Sequence, residues 1–95
     1  MTAGPLGAVY PQDRHADAGG VRLHYLDWGK ADARPMVLLH GLQDCARSWD
    51  FFALNMSGDF RVIALDHRGH GDSDWATPDR YRLRDYVADV VALVD

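Results

Sequence analysis

One cysteine, no long apolar run, no basic excess and no internal repeat each close off a class of function for this chain of 95 residues. Cys45 alone can form neither an internal disulfide nor a cysteine-based zinc site, which suits a reducing compartment. The longest apolar runs, Met36–Leu39 and Val90–Val94, fall far short of the roughly 18–20 residues a membrane-spanning helix needs. Met1–Gly20 has no basic start followed by an apolar stretch, so no secretory signal is read and a cytoplasmic protein is expected. Ten Lys and Arg against fourteen Asp and Glu leave a net charge of −4, with no general attraction for nucleic acid or anionic lipid. Neither is an expected partner. What is present is an ordinary globular composition, 47% apolar and 25% charged, enough for one small domain or part of a larger one.

Gly4, Pro5, Gly7 and Pro11 mark residues 1–13 as an irregular lead-in. Gly19-Gly20 is a turn signal, with a first hairpin arm expected near Arg14–Ala18 and a second over Val21–Trp28. In that second arm Val21, Leu23, Tyr25 and Asp27 alternate with Arg22, His24, Leu26 and Trp28. Gly29–Pro35 is a polar linker. Met36–His40, closed by Gly41, reads as a strand buried on both faces. Ser48 is placed to cap a short helix over Trp49–Met56, stopped by Ser57-Gly58-Asp59. Arg61–Asp66 is a second buried strand. Leu83, Tyr86, Val87, Val90, Val91 and Val94 recur at helical spacing and predict an amphipathic helix to the last residue. The order of hairpin, strand, helix, strand, helix implies an α/β fold with parallel strands and right-handed crossovers.

In open α/β sheets ligands bind beyond the carboxyl ends of the parallel strands. Two segments lie there: His40–Asp44 and Asp66–Asp74. A sharp turn at Gly41 can leave the Leu42 amide facing a cleft, free to stabilise a developing oxyanion. The plainer reading, that Gly41 only ends a strand, stays open on these residues alone.

Taken together, the hairpin with Gly-Val-Arg-Leu-His-Tyr, then VLLHG at Val37–Gly41, then RVIALDHRGHGDSD at Arg61–Asp74 and a closing amphipathic helix resemble the amino-terminal third of the α/β-hydrolase fold family. The resemblance covers roughly residues 14–95, and D-x-R-G-x-G-x-S, here Asp66–Ser73, is its most specific motif. It implies that the Leu42 amide is half of an oxyanion hole, with His40 and Gly41 shaping the loop. It also implies a small-molecule substrate and no cofactor or metal. The family's nucleophile elbow, G-x-S-x-G, is absent. Gly71-Asp72-Ser73-Asp74-Trp75 imitates it poorly, because Trp75 replaces the second glycine and Ser73 lies seven positions past Asp66. Ser73 is therefore read as a loop residue satisfying backbone groups. The elbow is expected about 10–15 residues past Asp95, with the acid and catalytic His later still. The expectation is an incomplete α/β-hydrolase sheet over residues 14–95, truncated before its nucleophile and inactive alone. The parent is expected to hydrolyse a carboxylic ester or related acyl bond through Ser. An Asp nucleophile, as in epoxide hydrolases and haloalkane dehalogenases, is the alternative, but Leu42-Gln43 departs from the apolar-proline pair common in epoxide hydrolases. A non-catalytic binding protein is the reading from another class.

Other clusters are weaker. His67, His70, Asp66, Asp72 and Asp74 can be imagined as a metal site, yet the family loop accounts for them. Gly69-His70-Gly71 begins a dinucleotide motif that Asp74 breaks. Arg80, Arg82 and Arg84 are read as an exposed helix start with a poor cap at Arg82. Trp49, Phe51 and Phe52 are expected in the core, Trp75 in core or lid contact, and Cys45 as an ordinary small residue.

Overall fold

The computed structural model describes residues 2–3, 9–29 and 31–95. In chain order these form β1 (Thr2–Ala3), β2 (Val9–Tyr10), β3 (Gln12–Ala18), β4 (Val21–Trp28) and β5 (Arg34–Leu39). A 3-10 turn (Ala46–Trp49), α1 (Asp50–Met56), β6 (Phe60–Leu65) and α2 (Leu83–Val94) follow. Gly19 and Gly20 both take positive φ, 60° and 92°, the two-residue turn whose twist suits a hairpin. β3 and β4 pair across it from Ala18↔Val21 to Gln12↔Asp27.

The lead-in is less irregular than expected. β1 pairs antiparallel with β2, and β3 begins at Gln12 rather than Arg14. Gly4, Pro5 and Gly7 lie outside the described residues.

The main sheet runs β3-β4-β6-β5, with β4 and β6 antiparallel and β5 and β6 parallel. Among the described residues β5 is thus an edge strand, with Pro35, which lacks an N–H, near its start. Alternation along β4 splits its side chains between two cores. Leu26 and Trp28 join Leu38, Ala53, Val62 and Ala64 on the face covered by α1. Leu23, with Val21 and Tyr25 beside it, joins Leu65 under α2. Each fully buried Leu or Val side chain among these contributes about 1.5–3 kcal/mol.

Two local expectations change. Ser48 does not cap α1; its hydroxyl donates back to the Cys45 carbonyl at 2.8 Å, inside the 3-10 turn. The first turn of α2 is closed without a cap side chain at Arg82, because Asp85 accepts the Arg82 N–H at 2.9 Å. The apolar stripe of α2 also faces differently. Val90, Ala92 and Leu93 pack on the sheet, while Leu83, Val87, Val91 and Val94 are exposed. Asp89, fully buried at 0% exposure and paired with Arg68, lies on the side of the helix that packs inward.

Candidate functional site

The loops that leave β5 and β6 meet at the carboxyl ends of these parallel strands. His40 cross-links them. Its Nε2 accepts the His67 N–H at 3.0 Å, so Nδ1 carries the proton and donates to the Gly41 carbonyl at 2.6 Å. The tight turn is not made by Gly41, which lies outside the left-handed region. Gln43 takes that conformation, with φ 58°. Nothing lies within 4 Å of where a Gly41 Cβ would stand. The Leu42 side chain is 86% exposed, and no acceptor among the described residues takes its N–H.

The second loop is ordered by Asp66. Its carboxylate accepts the Ala46 N–H at 2.7 Å, the Asp72 N–H at 3.1 Å and His24 Nδ1 at 2.6 Å. Burial alone would raise the Asp66 pKa, but these donors and the charge of His24 hold it below the usual carboxylate range. Gly71, at φ 50°, passes directly over that carboxylate, where any Cβ would collide. Gly69, at φ 74°, leaves room for the Tyr81 ring, whose hydroxyl would lie 2.7 Å from a Cβ.

Ser73, His24 and Asp66 converge here without forming a catalytic triad. The Ser73 hydroxyl donates to the Asp66 carbonyl at 2.6 Å and accepts the His24 backbone N–H at 2.8 Å, so both its partners are main chain. Ser73 is buried and lashes the loop to β4. Asp74 does the same, donating its N–H to the Arg22 carbonyl and accepting the Arg22 N–H on its carboxylate.

Arg68 reaches the other way. It holds Asp89 through two hydrogen bonds of 2.7 and 2.6 Å and donates to the Arg80 carbonyl at 2.8 Å. This pair fixes α2 against the loop. His24 and Asp89 went unnoticed in the sequence, where the only signal was a polar residue inside an apolar strand or helix.

Between the two loops and α2 lies a cleft of about 580 Å3, walled by Leu39, Leu42, Leu83, Val87 and Val91, with His40, His67, His70 and Tyr86 on its lining. Burial, reinforced by neighbouring His40, lowers the His67 pKa below the ordinary histidine value, so its ring is neutral at neutral pH. The lining is apolar with a few polar groups, and two features meet there: an amide without an acceptor among the described residues and open space beside Gly41.

Cys45 is half-buried. Trp49 packs on the core as expected, but Phe51 and Phe52 are exposed instead of buried. Trp75 is exposed as well rather than in the core, beside a separate cleft with Arg80 and Asp85. His24, Asp66 and Asp72 bring ligand atoms within 4.8 Å of one another, while His67, His70 and Asp74 do not join them. The His24 nitrogens and the Asp66 oxygens already hold hydrogen bonds, so a cation there would have to break them. Among the described residues, no helix is long and apolar enough to cross a membrane.

Residues 34–95 match the family model described as alpha/beta hydrolase fold. The chain is 39% identical over 79 residues to a 3-hydroxybutyrate-oligomer hydrolase of Cupriavidus necator, covering 81% of this chain and 27% of that protein. It is 41% identical over 80 residues to a non-heme chloroperoxidase of Streptomyces lividans, covering 80% of this chain and 28% of that protein. A solved epoxide hydrolase from Vigna radiata superposes with a TM-score of 0.84 at 28% identity, over 90% of this chain and 28% of that one. The chain spans about a quarter of the length of these curated relatives.

Proposed function

The chain belongs to the α/β-hydrolase fold family, and from that premise we propose that it is the amino-terminal part of an enzyme hydrolysing a carboxylic ester or related acyl bond. The observation that carries this reading is the Leu42 N–H, without an acceptor among the described residues, at the rim of an apolar cleft. His40 and Gly41 shape the loop that presents it, His40 through its bonds to Gly41 and His67. A strand from beyond residue 95 lies along the free edge of β5 and carries the elbow with a Ser nucleophile. The acid and the catalytic His come from later in the chain.

In this scheme the Ser oxygen bonds to the substrate carbonyl carbon while its proton passes to the catalytic His. The carbonyl electron pair moves onto oxygen, where the Leu42 N–H and an elbow amide hold the charge. The tetrahedral intermediate collapses, the alcohol leaves with the proton from His, and water releases the acid by the same route. The chemistry needs no cofactor or metal. The substrate is a small molecule with an apolar part, matched to Leu39, Val87 and Val91, and the setting is cytoplasmic.

The test uses the full-length protein and a series of nitrophenyl esters. Leu42→Pro removes an N–H that bonds to no described residue, and kcat is expected to fall about 10²–10³-fold. Leu42→Ala keeps the amide and trims a side chain of the cleft wall, so a rise in KM with kcat largely kept is expected, which separates loss of the side chain from loss of the N–H. Full activity in Leu42→Pro rejects the assignment. The Vigna radiata epoxide hydrolase favours one second reading, an Asp nucleophile acting on an epoxide or alkyl halide. Covalent labelling by a fluorophosphonate supports Ser; epoxide or halide turnover without labelling supports Asp.

A further inference from the structure

His24 lies in the middle of β4 at 4% exposure. Its Nδ1 is 2.6 Å from Asp66 and its Nε2 2.7 Å from Asp13 on β3. Ionised carboxylates only accept hydrogen bonds, so both ring nitrogens must donate, which only the imidazolium does. The other titratable groups at the ring are His15 on β3, with ring centroids 5.3 Å apart, and Asp72 in the loop after β6. Asp66 passes the restraint onward, because its second oxygen holds the Ala46 N–H at 2.7 Å. Ala46 begins the 3-10 turn that ends the loop of Gly41–Cys45.

We propose that His24, as an imidazolium clamped between Asp13 and Asp66, is the positioning residue of the loop that presents the Leu42 amide. The proposal rests on reading that amide as an oxyanion donor. The clamp joins β3, β4, the end of β6 and the loop after β5 through one ring, and it works only while the ring is charged. Neutral imidazole would turn a lone pair towards one of the two carboxylates; the clamp then loses one arm, and where that arm is Asp66 the Ala46 anchor loosens with it.

Burial opposes the charged ring, but the hydrogen bonds and negative charges of Asp66 and Asp13 outweigh it and raise the His24 pKa above the ordinary histidine value. The folded state therefore binds this proton more tightly than the unfolded chain. The resulting stability is complete below the unfolded value, about 6.5, and is lost as pH rises through the raised folded value.

The experiment follows ring nitrogens by NMR in the full-length protein, together with the Ala46 amide and the pH dependence of ester turnover. Both His24 nitrogens are expected to be protonated at pH 7, with the Ala46 amide shift following the ring's titration at the same midpoint. Asp13 sits at the accessible end of the clamp, so Asp13→Asn leaves the fold intact. It is expected to move the ring midpoint and the alkaline limb of kcat down together, with KM unchanged and kcat about tenfold lower above that limb. A neutral His24 at pH 7, or an alkaline limb that stays put while the ring midpoint moves, overturns the proposal. If the protein turns over no ester, the acyl-hydrolase reading fails separately. The clamp is then judged on Ala46 alone, and an amide indifferent to the ring's titration rejects it.

Discussion

Asp66 accepts hydrogen bonds from three separate segments, at Ala46, Asp72 and His24, and the glycine passing over it is the only residue type that fits. Much of the D-x-R-G-x-G-x-S motif is accordingly architecture: Asp66 gathers, Gly71 clears space, Ser73 lashes the loop to β4, and Arg68 holds α2. The last of these can be measured. Asp89 has no exposed surface and Arg68 is nearly buried, so Asp89→Asn leaves a guanidinium without its counter-charge in the interior. A loss of about 3–5 kcal/mol is expected in denaturant unfolding of the full-length protein. Replacing both residues by apolar ones of similar volume should recover much of it, since desolvating the pair offsets most of its attraction. A near-neutral Asp89→Asn would show that the pair does not anchor the helix.

At the level of elements, α2 has two flanks with different tasks. Val90, Ala92 and Leu93 meet the sheet; Val87 and Val91, 52% and 51% exposed, line the cleft instead. In the full-length protein this second flank is expected to be covered, so Val91→Asn should cost about 2 kcal/mol. A change within about 0.5 kcal/mol, typical of a surface site, would place that flank in solvent. Periodicity made the helix legible but not its orientation: it reports which residues are apolar, whereas Asp89 meets Arg68 across 21 positions of sequence. For the same reason β5 and β6 were found to within two residues from their apolar runs, while the left-handed turn at Gln43 carried no glycine to announce it. The proposal for Leu42 starts from the His-Gly sequence and its family resemblance, both visible without the fold. His24 was not legible in the sequence, because its partner Asp13 comes within reach only once the hairpin register is set.

At the scale of the molecule, β5 offers an edge that no described strand pairs, next to exposed Leu39, Val87 and Val91. Such edges pair with other chains, and the 95-residue polypeptide by itself is expected to self-associate in sedimentation and to turn over no ester. A monodisperse monomer with a sharp unfolding transition would contradict the first expectation, and ester turnover abolished by Ser73→Ala the second. The stitching of Ser73 and Asp74 onto His24 and Arg22 also sets a timetable. These contacts span 49 and 52 residues, and during synthesis the hairpin, complete at Trp28, waits roughly 2–9 s before its lashing emerges. Through that interval His24 lacks Asp66, and a nascent hairpin must wait with a polar ring among apolar side chains. Closure of this long loop is slower than any local turn, and it locks together the halves of the sheet that β4 and β6 join.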